Sequence, residues 1–211
     1  MMYGKFQISN FTFQLSTHMT DLTKQYIMAD KQNSIIKVVG VGGGGGNAVN
    51  HMYNQGIEEV SFVVCNTDQQ ALIHSPVPNK ILIGEGLGAG NKPSVALAAA
   101  EAARDEISKM LNDGTKMVFI TAGMGGGTGT GAAPFVASIA RELGILTVGI
   151  VTIPFLFEGK RKIRQALKGV AAMSDNVDAL LVIHNERLCS VYPDLELSNA
   201  FGLADNVLTS A

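Results

Sequence analysis

The sequence predicts an α/β fold, a Rossmann-like and mostly parallel sheet with helices on both faces, and three observations carry that prediction. Short β-branched or apolar runs alternate with helix-compatible segments from residue 35 onward, the pattern of strands joined by crossover helices. The runs at 60–65, 117–122 and 145–153 are apolar almost throughout, as strands buried on both faces are. Glycine-rich turns follow the expected strands at 35–41, 80–83 and 117–122 directly, on the sheet edge where open parallel sheets bind ligands.

Residues 35–41 read as a first strand feeding a glycine loop that contains Gly43, Gly44, Gly45, Gly46 and Asn47. A helix over 48–55, ended by Gly56, and a second strand over 60–65, closing on Asn66, Thr67 and Asp68, complete a βαβ unit. A loop with Pro76 and Pro78 leads to the third strand and to a glycine-rich turn that includes Ala89 and Gly90. Pro93 suits the first turn of an alanine-rich helix expected over 94–111, stopped by Asn112, Asp113 and Gly114.

The fourth strand, 117–122, runs into the densest turn. Gly125, Gly126, Gly127, Thr128, Gly129, Thr130 and Gly131 place five glycines and two threonines in seven residues. A helix to Leu143, a fifth strand over 145–153 and a loop over 154–159 follow. Lys160, Arg161, Lys162, Arg164 and Lys168 then put five basic residues in nine positions of the next helix, a pattern that fits a solvated face. A last strand over 177–183 precedes His184, Asn185 and Glu186, and a final helix is expected over 197–211 with Phe201 and Asp205 on one face.

Glycine backbone lets amides approach an anion closely, threonine hydroxyls add donors, and a helix start attracts negative charge. Such a turn is a phosphate cradle. It holds no lysine, so it is not the G-x-x-x-x-G-K-[ST] loop. The first turn together with Asp68 also imitates the dinucleotide fingerprint of an NAD-dependent oxidoreductase, but that alternative leaves two turns without a ligand. His18, His51, His74 and His184 form no acid–base pattern.

With 211 residues, 46% of them hydrophobic, the chain can bury one large core. Residues 1–33 read as a flexible arm whose Phe6, Phe11 and Phe13 could dock on a surface, ahead of one domain over 34–211. Sixteen basic against eighteen acidic residues give no electrostatic case for nucleic acid. The apolar runs fall short of the ~20 residues that cross a bilayer, so no membrane insertion is expected. Two cysteines, Cys65 and Cys189, without C-x-x-C spacing fit a reducing cytoplasm.

The turn at 125–131, preceded by Gly123 and Met124 and followed by Ala132, Ala133 and Pro134, resembles the signature of FtsZ, the bacterial cell-division GTPase family related to tubulin. Motifs at 43–47, 66–68, 86–90 and 154–159, Asn185, and the pair Phe201 and Asp205 follow in family order, and the resemblance covers residues 35–211. It implies a domain that binds GTP or GDP, with Mg²⁺ on the triphosphate. Gly43, Gly44, Gly45 and Gly46 with Gly127, Thr128 and Gly129 would wrap the phosphates, and Ala89 and Gly90 would approach the γ-phosphate. Glu158 would hold the ribose; Asn47, Asn185 and Asp205 would bond guanine, with Phe201 stacked on it. Lys162 stands where the family usually has arginine, and the loop into Gly86 is shorter than usual.

The resemblance also implies head-to-tail polymerisation into a division ring, contact with other division proteins, and hydrolysis between subunits by an acidic loop beyond the central helix. Residues 1–211 are expected to stop inside that helix, without the second domain and without a catalytic residue of their own, and so to bind GTP with little turnover. A truncated regulator that binds GTP without polymerising is the alternative in this class.

Overall fold

The computed structural model describes residues 34–187 and Gly202. Six strands form one sheet: β1 (Ile36–Val41), β2 (Ser61–Asn66), β3 (Asn79–Leu82), β4 (Met117–Gly123), β5 (Leu146–Ile153) and β6 (Ala179–His184). Their order is β3-β2-β1-β4-β5-β6 and every pair is parallel, as the alternating pattern predicts. The chain winds outward from β1 in one direction and, after β4, in the other. That reversal leaves a crevice beyond the C-terminal ends of β1 and β4. Register keeps those ends level, with Ile81, Cys65, Val41, Ala122, Val151 and Val182 in one row across the sheet.

The helices are α1 (Gly42–Asn54), α2 (Gln69–His74), α3 (Pro93–Ala102), α4 (Arg104–Leu111), α5 (Thr128–Glu142) and α6 (Lys160–Ser174), with a short 3₁₀ turn at Leu156–Glu158. On one face α1 and α2 bury Ala48, Val49, Met52 and Leu72 against Val38, Phe62 and Val64. On the other, Ala96, Ile107, Ala133, Val136 and Met173 of the remaining helices pack on Val39, Val63, Ile120 and Val151. Side chains that alternate along each strand supply both layers.

Three expectations change. The glycine loop at 43–46 is helical: α1 begins at Gly42, directly after β1. Close packing explains it, since a Cβ on Gly45 would lie 2.2 Å from the Thr121 carbonyl oxygen and one on Gly40 would lie 2.4 Å from the Gly45 oxygen. Glycine here lets a helix start against two strands. The single helix expected over 94–111 is two, broken at Ala103, whose N–H is shared between the Ala99 and Ala100 carbonyls; no glycine or proline announces this. Residues read as loop before Pro76 form α2, capped by Asp68. The arm over 1–33, Phe201 and Asp205 lie outside the described residues.

The N-terminal edge of the sheet is closed by side chains. Buried Lys37 donates to Asp113 at 2.6 Å and to the Met110 carbonyl. Burial pushes the Asp113 carboxyl up, but hydrogen bonds from Lys37 and Thr115 and the Lys37 charge outweigh it and hold it below the ordinary carboxylate value. Thr147 accepts through its carbonyl from Asp178 N–H, and its own N–H donates to the Asp178 carboxylate, both at 2.8 Å.

Candidate functional site

At the C-terminal edge two helix starts meet. A Cβ on Gly42 of α1 would lie 2.8 Å from the Gly129 nitrogen of α5, and one on Gly44 would lie 3.2 Å from the Gly123 Cα. Neither start has a side-chain cap or an acidic residue in its first turn. Their leading N–H groups lack intrahelical partners, and the two positive dipole ends face one small region. A negatively charged ligand is the chemical complement of that arrangement.

The surrounding loops are locked onto this pair. Thr67 and Thr128 share a hydroxyl hydrogen bond of 2.7 Å, tying the end of β2 to the start of α5. Gly88 N–H donates to the Thr67 carbonyl and Gln69 N–H to the Gly86 carbonyl, folding the second glycine turn back over β2. That turn then abuts the third. A Cβ on Gly127 would sit 2.8 Å from the Ala89 Cβ, and one on Gly131 would sit 2.1 Å from the Pro93 oxygen. Inside the third turn the Thr130 hydroxyl accepts from Gly125 N–H at 2.9 Å.

The glycines divide by what surrounds them. Gly45, Gly127, Gly129 and Gly131 are wedged against protein, whereas a Cβ at Gly43, Gly46 or Gly126 would meet nothing within 4 Å. Gly46 sits inside α1, where alanine would be favoured by about 1 kcal/mol. The fold gives no reason for glycine at these three rim positions. Gly43, Gly46, Asn47 and Asn66 line a hollow of about 30 Å³ beside the α1 start, room for about one water. Cys65 also lines it, its thiol pushed up to about 12 by burial and, less, by the charge of Glu106. A thiol so held is no nucleophile.

Side chains take over toward β5 and β6. Glu158 is only 16% exposed; one carboxylate oxygen accepts from Phe155 N–H at 3.0 Å and the other from Lys162 Nζ at 3.1 Å. Each oxygen keeps a further lone pair for a ligand hydroxyl. Asn185, just past β6, is buried, and its Oδ1 has no hydrogen-bond partner among the described residues. A buried amide oxygen left open costs about 1–3 kcal/mol unless something beyond the described residues satisfies it. Asn66 Oδ1 accepts from Asp68 N–H, and Asp68 Oδ1 in turn caps α2 through Gln70 and Ala71 N–H. The acid that imitates a dinucleotide fingerprint thus has a structural task.

Gln165 belongs to the site although no sequence pattern singles it out. Its Nε2 donates to the Gly125 and Gly126 carbonyls, both at 3.0 Å, and lies within 3.5 Å of two Asn91 oxygens. It fastens α6 to the third glycine turn and to the end of the second. In the sequence it is the one uncharged polar residue in a stretch with five cations, and only the packing of α6 on α5 shows its aim.

The model of the Tubulin/FtsZ family, GTPase domain, matches residues 35–193. The chain belongs to the Tubulin/FtsZ family. Cell division protein FtsZ of Porphyromonas gingivalis is 64% identical over 182 residues, which are 84% of this chain and 40% of that protein. The Aquifex aeolicus protein of the same name is 53% identical over 181 residues, 83% of this chain and 49% of its own length. The chain therefore spans less than half the length of these two curated relatives. Among solved structures, an empty FtsZ dimer of M. jannaschii superposes with a TM-score of 0.81 at 42% identity, covering 92% of this chain and 57% of the other. A CetZ2 protofilament from Haloferax volcanii, 23% identical, shares the fold with a TM-score of 0.74 over 83% of this chain and 56% of its own. The Tubulin/FtsZ match supports the GTPase reading and gives none to the oxidoreductase alternative. Among the described residues no helix is long and apolar enough to cross a membrane, and no cluster of three or more His, Cys, Asp or Glu could hold a metal.

Proposed function

We propose that these residues form the GTP-binding domain of a cytoplasmic cell-division protein that assembles head to tail at the division site and hydrolyses GTP where two subunits meet. The carrying observation is the set of rim glycines, Gly43, Gly46 and Gly126, whose missing side chains leave room beside two uncapped helix starts. A triphosphate matches that charge. Gly43 and Gly44 with Gly126, Gly127, Thr128 and Gly129 would present backbone donors to the phosphates, with Gly45, Gly46, Gly125, Asn66, Thr67, Asp68, Thr130 and Gly131 shaping and bracing these loops. Ala89 and Gly90 would face the γ-phosphate.

Glu158 would accept from ribose hydroxyls, with Lys162 beside it. The open Oδ1 of Asn185 supports a contact with a guanine N–H, shared with Asn47 and Asp205, while Phe201 would stack on the ring. Mg²⁺ fits as a partner of phosphate oxygens and waters, neutralising charge on the triphosphate. The carboxylate that directs water would come from a neighbouring subunit, so these 211 residues alone would bind GTP and turn it over slowly. Partners would then be further copies of the protein and other division proteins.

Thermal shift with GTP, ATP and NAD tests the reading. GTP at 100 times its Kd should stabilise the fold by about 2.7 kcal/mol, with a smaller effect of ATP and none of NAD. Stabilisation by NAD alone would overturn it. Turnover is measured separately, and rapid hydrolysis by the 211 residues alone would refute the need for a second subunit.

A further inference from the structure

From the third glycine turn, where Thr130, Gly131 and Gln165 line its near end, a groove of about 910 Å³ runs over α5 between α3 and α6. Both flanking helices pack on α5 and make no comparable contact with each other, so a channel remains above it. Its two sides differ in chemistry. Exposed Leu97 of α3 and half-buried Phe135 of α5, over the buried Pro134 of the groove floor, offer apolar surface, while Arg161, Arg164 and Lys168 line the α6 side. These three are spaced i, i+3, i+7 and so form one stripe along the helix. No carboxylate lines the groove. Nearby Arg104, Arg141 and Lys162 pair with Glu142, Asp178 and Glu158; among the described residues none of the three stripe cations has an acidic partner.

We propose that this groove docks a short acidic, amphipathic peptide segment of a protein partner, its apolar side chains against Leu97, Pro134 and Phe135 and its carboxylates along the Arg161–Arg164–Lys168 stripe. Seven helical residues extend about 10 Å, the span of roughly three residues of extended peptide. Cations spread over that length match carboxylates set along a chain better than one phosphate. The site is also concave, which suits a peptide rather than a flat anionic bilayer. Nothing in this assignment depends on the nucleotide.

The test uses the full 211-residue chain and a fluorescein-labelled decapeptide alternating glutamate with leucine and phenylalanine, followed by anisotropy. Saturable binding is expected, weakening as salt rises. Arg164→Glu with Lys168→Glu should weaken it about tenfold or more, since attraction at two positions becomes repulsion. Leu97→Asp, on the opposite wall, should weaken it as well, and circular dichroism confirms that both variants fold. A lysine–leucine peptide should not bind. The proposal is overturned by absent binding, by equal binding of the lysine peptide, by indifference to either wall's substitution, or by displacement with GTP, which would place the peptide on the phosphate edge. Co-sedimentation with phosphatidylserine vesicles by a chain that ignores the peptide would assign the stripe to a membrane instead.

Discussion

The two edges of the sheet are finished in opposite ways. At the N-terminal edge, polar groups close on one another: Lys37 is held by Asp113 and the Met110 carbonyl, Thr115 by Asp113, and Thr147 by Asp178. At the C-terminal edge the chain withholds closure. Two helix starts go uncapped, rim glycines face open space, and the Asn185 amide oxygen is buried without a partner among the described residues. A fold can hold such an unsatisfied edge only against a surplus elsewhere, because each buried open group costs about as much as several good contacts return. One edge stabilises the domain and the other, on the proposed function, is kept for the ligand.

Substitutions can break this contrast. The largest effect is expected from Gly45→Ala, which drives a Cβ to 2.2 Å from the Thr121 oxygen; a loss of about 3 kcal/mol or more, read as a fall in Tm or failure to fold, should follow. Retained stability would mean that the α1 start is not wedged on β4.

Asp113→Ala comes next. It strips a 2.6 Å partner from a lysine that is 2% exposed, and about 1–2 kcal/mol should be lost in urea titration, moderated because Asp113 itself is half exposed. Lys37→Met, which removes the charge with its need for a partner, should cost less. The pH dependence has a definite sign. Asp113 ionises more readily folded than unfolded, so its contribution is present at neutral pH and is lost as the pH falls through and below the ordinary carboxylate range. Asp113→Ala should flatten that part of the acid-unfolding curve.

On the open edge the same kind of change should leave the fold alone. Gly46→Ala should raise stability by about 0.5–1 kcal/mol through helix propensity while weakening GTP binding by about tenfold, roughly 1.4 kcal/mol. If affinity survives, the rim glycines do not face the nucleotide. The smallest effect belongs to Asn185→Ala: little change in Tm, and a loss of about 1 kcal/mol in GTP binding with a narrowed preference for GTP over ATP. An unaltered preference would remove Asn185 from the base contact.

Sequence reasoning reached the fold class and most elements because strands buried on both faces leave runs that are apolar almost throughout, as over 146–153, and because glycine clusters mark the strand-to-helix turns. It failed where tertiary contact overrides local preference. Five consecutive glycines, 42–46, suggest a loop by propensity, yet they start a helix, and at Gly45 only bare backbone fits between β1 and β4. The break at Ala103 lies in an alanine-rich segment whose propensity favours continuation. Within the candidate site, the glycine turns were legible because their chemistry is the absence of side chains. Gln165 was not, since a lone glutamine has no meaning until α6 is packed and its amide meets the Gly125 and Gly126 carbonyls. Nor could spacing reveal that Asp68 caps α2.

The level row of strand ends has a bearing on how the chain folds. Val41, Cys65 and Ala122 come from segments far apart in sequence yet stand side by side, joined only by parallel pairing. Such non-local pairing forms slowly, after long loops have closed. The cradle at 42–46 and 125–131 therefore does not exist in any partly folded chain that lacks β1 beside β4. On the proposed function, nucleotide capture becomes a late event in folding, and a bound triphosphate would act as a clasp that reports the sheet complete.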